Sequence, residues 1–96
     1  MPPEILQKKL YNPMISDVWS LGVCLYVMLN DCYPFDRRDP LKMVHNQTHR
    51  IWSIQSSVKP FVSDLCIDLL KRMLEPDVKL RITLTSVKAH EWLRTG

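Results

Sequence analysis

The apolar run at residues 18–29 is the feature that most constrains how this chain can fold. If the run is helical, its apolar side chains point to every side: Trp19, Val23, Tyr26 and Val27 share one face, and Val18, Leu21, Leu25, Met28 and Leu29 occupy the others. A helix that is apolar all round must be enclosed on every side. The run is too short to cross a bilayer, which needs about 20 apolar residues. It therefore predicts the buried central helix of a larger protein.

The residues before this run predict where the helix begins. Ser16 is a favourable N-cap, and Asp17 in the first turn complements the helix dipole, so we expect a helix from there to about Asn30. Residues 2–7 predict one helical turn with proline at its start. The proline at position 13 predicts a non-helical connection between the two.

Three more helices are predicted downstream. Asp39 and Pro40 form an N-cap and a proline at the first helical position of a helix that runs to about residue 50. Another begins at residue 62 or 63 and ends near residue 74, before Pro76. The last begins near Thr83 and directs apolar side chains to a core: Leu84, Val87, Trp92 and Leu93. No segment shows the alternation of a strand, so the predicted fold class is all-α.

Composition and charge argue against several classes of function. A chain of 96 residues holds one small domain at most, and its apolar and charged fractions are those of an ordinary globular protein. The net charge of +3 comes from scattered cations without a basic face, so we expect no nucleic-acid partner. No basic segment followed by an apolar one begins the sequence. We therefore expect a cytoplasmic protein with no membrane partner.

The cysteines and histidines do not form a metal-binding pattern. The three cysteines are odd in number and lack zinc-site spacing. Cys24 and Cys66 lie in apolar periodic runs and are expected in the core, whereas Cys32 lies in a turn. His45 and His49 have the spacing of a metal pair, but no third ligand is evident. We expect both histidines on a solvated surface and no metal site.

Several short motifs, taken in order, resemble the C-terminal lobe of a eukaryotic serine/threonine protein kinase. They are Pro2-Pro3-Glu4 for the Ala-Pro-Glu motif that closes the activation segment, Asp17 to Val23 with Trp19 and Gly22 for the start of the central C-lobe helix, Pro34-Phe35 for the aromatic turn after it, Arg81 for the arginine that pairs with the motif glutamate, and His90-Glu91-Trp92 for the closing His-x-Trp. The resemblance implies that residues 1–96 are a partial kinase domain, from the Ala-Pro-Glu-like motif to the last helix.

Finer features resemble the testis-specific serine kinase family, within the calmodulin-dependent-kinase-like group. The matching segments are Glu4-Ile5-Leu6-Gln7, Tyr11-Asn12-Pro13, Leu25-Tyr26-Val27-Met28 and Arg72-Met73-Leu74-Glu75-Pro76-Asp77. There are also departures. Ile82 and Glu91 stand where kinases commonly have proline, and Arg37-Arg38 stand where acidic residues often follow the aromatic turn.

The resemblance implies structural roles for several residues. Glu4 and Arg81 would form a partly buried ion pair that ties the end of the activation segment to the helical core. Asp17 holds the catalytic loop in kinases, and without that loop it is expected to act only at the helix start. The positions on which the internal hydrophobic spines rest correspond to Trp19, Leu21, Leu25 and Met28. The helix that docks substrates and regulators corresponds to a segment with Leu41, Met43, Val44 and Trp52.

The catalytic parts of a kinase are missing from the sequence. It contains no G-x-G-x-x-G, V-A-I-K, H-R-D or D-F-G motif, and Gly22 and Gly96 are its only glycines. We expect no catalytic residue and no cofactor in this chain, with ATP and Mg²⁺ belonging to a complete parent kinase.

Two functions remain open. The first is a truncated serine/threonine kinase domain, separated from its other half, whose parent phosphorylates proteins. The second is a non-catalytic binding module that keeps the docking surface. Without the partner lobe, part of the central helix would face water, and its large apolar residues predict a poorly soluble or molten monomer.

Overall fold

The computed structural model describes residues 2–6 and 12–95. Within those ranges the chain forms six α-helices and a short 3₁₀ turn at Lys59–Phe61, and it contains no strand. The α-helices are α1 Pro3–Leu6, α2 Pro13–Asn30, α3 Pro40–Thr48, α4 Asp64–Met73, α5 Leu84–Ala89 and α6 Glu91–Thr95. The all-α prediction is therefore confirmed. The end of the predicted first turn, at residue 7, lies outside the described residues.

Helix α2 begins four residues earlier than the sequence predicts. Asn12 is the N-cap, with extended backbone angles, and its side-chain Oδ1 accepts a hydrogen bond from the Met14 N–H at 2.9 Å. Pro13 occupies the first helical position, where a missing N–H costs nothing, and it holds Asn12 in the extended conformation that an N-cap needs. The prediction that Ser16 caps the helix and that Asp17 lies in its first turn is wrong.

One side of α2 is buried and the other is exposed to solvent. Trp19, Tyr26 and Gly22 are buried against the rest of the chain, whereas Met14 and Met28 are 69% and 82% exposed. By length and composition alone, α2 is long and apolar enough to cross a membrane. The core helix of a soluble protein can meet the same two criteria. The other described helices cover only one face of α2, so the enclosure predicted for the central helix of a larger protein is incomplete here, as expected without the partner lobe. Cys24 lies on the exposed side, so the prediction that it is buried is wrong.

Two clusters of apolar side chains form the core where α2 meets α4. The first contains Trp19, Tyr26, Phe35, Met43, Ile54, Leu70 and Leu74, and the second contains Val18, Leu69, Met73 and Val87. Gly22 permits the close approach of the two helices, because an added Cβ there would lie 2.9 Å from the Met73 Cβ. Cys66 is buried in α4 as predicted, and burial raises the pKa of its thiol.

The boundaries of α3 and α4 agree with the sequence prediction at their starts. Asp39 caps α3 through a hydrogen bond from the Lys42 N–H at 3.2 Å, and Ser63 caps α4 through one from the Cys66 N–H, also at 3.2 Å. Helix α3 ends at Thr48 rather than near residue 50, because Arg50 adopts a left-handed conformation with φ 57°.

The last predicted helix is broken in two at His90. The backbone of His90 is extended, with φ −63° and ψ 141°, so α5 ends before His90 and α6 begins after it. The His90 Nδ1 lies 3.1 Å from the Trp92 backbone N, and its Nε2 lies 2.8 Å from the Asp68 Oδ2 on α4. His90 thus caps α6 and ties it to α4. Because the chain turns here, Val87 is buried and Trp92 half-buried, but Leu84 and Leu93 are exposed, contrary to prediction.

Candidate functional site

A buried ion pair joins helix α1 to the loop between α4 and α5. Glu4 lies in the first turn of α1, and Arg81 lies in the loop between α4 and α5. Their contact is bidentate, with Arg81 Nη1 2.7 Å from Glu4 Oε2 and Arg81 Nη2 2.9 Å from Glu4 Oε1. The exposed fractions of the two side chains are 0% for Arg81 and 2% for Glu4. This planar two-bond geometry is specific to arginine and cannot be reproduced by lysine.

Further hydrogen bonds hold both members of the pair. The Ser16 hydroxyl donates to Glu4 Oε2 at 2.7 Å, so Ser16, rather than capping α2, anchors α1 to it. Arg81 donates from Nε to the Glu75 carbonyl at 2.8 Å and from Nη1 to the Ile15 carbonyl at 3.2 Å. The guanidinium carbon also lies 5.1 Å from the ring centre of Trp19. Arg81 therefore connects α1, α2 and the end of α4 at one point.

The surroundings of Glu4 favour its ionised form. Burial by itself would raise the pKa of the carboxyl group. This effect is outweighed by the hydrogen bonds from Arg81, from Ser16 and from the Glu4 backbone, together with the positive charge of Arg81. The pKa of Glu4 therefore lies below its ordinary value. Buried charges are tolerated when they are paired and hydrogen-bonded in this way.

A second ion pair, which the sequence did not reveal, borders the first. The Glu75 carboxylate accepts two hydrogen bonds from Arg50, at 2.6 Å from Nη2 and 3.2 Å from Nε, while the Glu75 carbonyl accepts from Arg81. Glu75 Oε1 also accepts from the Asp77 backbone N–H at 3.1 Å. Arg50 and Glu75 are 25 residues apart, and no local spacing indicates that they meet.

The remaining kinase-like positions are distributed over the surface and the core. Trp19 is buried and stacked on Phe35, with ring centres 5.7 Å apart. Asp17 is exposed on α2. Pro3 is buried beside Glu4. Of the other positions assigned to the hydrophobic spines, Leu25 is partly buried, and Leu21 and Met28 are exposed.

The four residues assigned to docking do not share one exposed surface. Leu41 is exposed on α3 and Val44 is half-buried, but Met43 belongs to the first core cluster. Residues two apart on a helix point to different sides, which separates Leu41 from Met43. Trp52 is half-buried and packs edge to face on Tyr26, with ring centres 6.0 Å apart.

Three of the residues that depart from the kinase pattern have local contacts: Ile82, Arg37 and Arg38. The Ile82 N–H donates to the Arg72 carbonyl at 3.2 Å, a bond that a proline there could not make. Arg38 binds Asp36 through two side-chain contacts of 3.0 Å, and its hydrogen bonds lower the pKa of Asp36 to about 2. Arg37 lies over the Tyr33 ring, with its guanidinium carbon 3.7 Å from the ring centre.

The described residues do not fit Mg²⁺ or ATP. Gly22 is packed inside α2 against Met73 and cannot belong to a phosphate-binding loop. No group of three potential metal ligands occurs in the part of the chain that the structure describes. His45 and His49 stack on each other at the surface, with ring centres 4.1 Å apart, and the His49 Nδ1 bonds to the His45 carbonyl.

Comparison with known families identifies this arrangement. Residues 1–93 match the family described as "Protein kinase domain". The chain belongs to this family. Among its curated relatives it is 40% identical over 96 residues to "Serine/threonine-protein kinase SRK2F" of Arabidopsis thaliana, covering 98% of the chain and 27% of that protein. It is 41% identical over 92 residues to "Abscisic acid-inducible protein kinase" of Triticum aestivum, covering 94% of the chain and 28% of that protein.

A solved structure places the chain within the kinase fold. The twitchin kinase region from C. elegans matches with a TM-score of 0.83 and 26% identity, covering 96% of this chain and 16% of that one. The chain is thus a helical C-lobe portion of the protein kinase fold, similar to serine/threonine kinases. It spans about a quarter of the length of the curated relatives above.

Proposed function

We propose that these residues form the scaffold of the C-terminal lobe in a serine/threonine protein kinase. The complete kinase would transfer the γ-phosphate of ATP, with Mg²⁺, to serine and threonine hydroxyls of proteins. This chain by itself lacks the motifs that bind ATP and perform the transfer, so we propose that it is inactive in isolation.

The buried Glu4–Arg81 pair is the observation that carries the proposal. Glu4 belongs to the Ala-Pro-Glu-like motif at the end of the activation segment, and Arg81 fastens it to α2 and to the end of α4. A segment that presents substrate needs a fixed end, and a paired, hydrogen-bonded charge in the interior fixes it at one position. The role of the pair in kinase function is therefore positional, not chemical.

The exposed side of α2 supports the same proposal. Met14, Leu21 and Met28 are large exposed apolar side chains on a helix whose opposite side is buried at Trp19, Gly22 and Tyr26. Exposed apolar patches of this kind mark places where another part of a protein packs. We propose that the missing kinase half covers this side of α2 and meets Asp17 there.

A chimera tests the proposed function. The chain replaces the corresponding segment of the Arabidopsis thaliana relative, and phosphate transfer from Mg-ATP to a protein substrate is measured. We expect the chimera to be active and the same chimera with Arg81→Ala to lose most of its activity. Arg38→Ala is the matched control, because the Arg38 side chain is 91% exposed.

Two results would contradict the proposal. One is a soluble, folded chimera without transfer activity. The other is stoichiometric ATP binding by the 96-residue chain alone.

A non-catalytic binding module is the second candidate. It is favoured by the two buried clusters and the ion pair, which close within the chain itself. Such a module would bind protein substrates or regulators through α3, with Leu41 and Val44 in contact, and would have no nucleic-acid or membrane partner in the cytoplasm. A single cooperative thermal transition of a monomeric chain would favour it, and aggregation without a transition would argue against it.

We also propose that the parent belongs near the testis-specific serine kinases. The support is the set of short segments around Glu4, residues 25–28 and residues 72–77. Tissue profiling of the transcript tests this subfamily: enrichment in testis is expected, and its absence there would contradict the assignment.

A further inference from the structure

A groove of about 550 Å³ lies between α4 and the loop that follows α3. Its apolar lining comes from Trp52, Ile54, Ile67 and Leu74, of which Ile54 and Leu74 are buried. Its size is within the range of about 300 to 1,000 Å³ that is usual for ligand-binding clefts. The groove lies apart from the exposed side of α2, since none of Met14, Leu21 and Met28 lines it.

The charges around the groove are unbalanced. Arg50, Lys59 and Lys71 line it together with a single carboxylate, Glu75. Arg50 is already bound to Glu75, whereas neither lysine has a carboxylate within ion-pair distance among the described residues. Both lysines are exposed and come from different elements, the 3₁₀ turn and α4. Two free cations therefore border an apolar cleft.

We propose that this groove binds an extended acidic peptide segment of a partner protein. A large apolar side chain of the peptide lies against Trp52, Ile54 and Ile67, and carboxylates on each side of it pair with Lys59 and Lys71. Charge complementarity selects this occupant, because the groove combines an apolar lining with two cations that have no ion-pair partner among the described residues. A small inorganic anion would leave the apolar lining unused.

This binding site goes beyond the proposed function, because it requires no residue of phosphoryl transfer. It is also separate from the docking surface on α3, since neither Leu41 nor Val44 lines the groove. Its failure and the failure of the kinase chimera are therefore independent results.

Fluorescence anisotropy with three labelled hexapeptides tests the proposal on the whole chain. The acidic, apolar probe is Asp-Glu-Leu-Phe-Glu-Asp, the uncharged probe is Asn-Gln-Leu-Phe-Gln-Asn, and the acidic probe without apolar side chains is Asp-Glu-Ser-Ser-Glu-Asp. We expect the first to bind most tightly and to weaken as salt increases, because exposed ion pairs are screened.

Two double variants with equal loss of charge locate the site. Lys59→Gln with Lys71→Gln should weaken binding of the first probe by about five- to twentyfold, because each exposed ion pair contributes up to about fivefold. Lys79→Gln with Lys88→Gln removes two exposed lysines outside the groove and should change binding less than twofold. Equal weakening by both variants would overturn the proposal, as would equal binding of the three peptides.

Discussion

Replacing Arg81 by methionine should be among the most destabilising single changes in this chain. Methionine keeps much of the side-chain volume but removes both hydrogen bonds to Glu4 and those to the Glu75 and Ile15 carbonyls. The Glu4 carboxylate would then be buried with only Ser16 as a side-chain partner. Stranding one member of a buried ion pair costs about 3 to 5 kcal/mol. Since domains are stable by only about 5 to 15 kcal/mol, the loss would consume a large part of the total.

Urea unfolding followed by circular dichroism measures this loss. Arg38→Met is the control, because the pair of Arg38 with Asp36 lies at the surface and should contribute little to the free energy of unfolding. The double variant Glu4→Leu with Arg81→Met should be less damaging than Arg81→Met alone, because it leaves no unpaired buried charge. The reasoning is refuted if Arg81→Met and Arg38→Met cost the same, or if the effects of the two changes at Glu4 and Arg81 simply add.

Three further predictions concern pH, packing and thiol exposure. Folding lowers the pKa of Glu4, so ionised Glu4 stabilises the folded state at pH values above its unfolded pKa of about 4.3. This contribution is lost as the pH falls through the pKa of Glu4 in the folded state. Arg81→Met should therefore flatten the dependence of stability on pH, measured by urea unfolding between pH 5 and pH 2. Gly22→Ala should destabilise by about 1 to 3 kcal/mol through overpacking against α4, whereas Ser20→Ala on the exposed side of α2 should have little effect in the same unfolding assay. Cys24 should react with a thiol reagent at least tenfold faster than Cys66, whose thiol is buried and has a raised pKa; equal rates by mass spectrometry would contradict the structure.

The parts of the fold that depend on local chemistry were predictable. The caps at Asp39 and Ser63 and the apolar spacing along α4 placed those helices correctly. Pro13 misled the prediction, because proline ends a helix when it lies inside one but favours a helix when it lies at the first position. Periodicity alone does not distinguish the two cases.

Properties that depend on distant partners could not be derived from local sequence. The sequence shows that α2 is apolar on all sides but not which side its own chain covers, so the exposure of Cys24 was missed. The contact of Arg50 with Glu75 joins elements without a shared periodicity. The pairing of Glu4 with Arg81 was predicted only through the kinase resemblance, because nothing in the 77 residues of separation indicates it.

The isoleucine after Arg81 gives this loop a measurable reporter. Ile82 contributes a backbone amide proton, bonded to the Arg72 carbonyl at 3.2 Å, at a position where a proline would have none. The rate at which the Ile82 amide proton exchanges with deuterated solvent depends on how frequently this loop separates from the end of α4. Deuterium exchange at Ile82 therefore reports the opening of the neighbouring Arg81 anchor without an attached probe or a substitution.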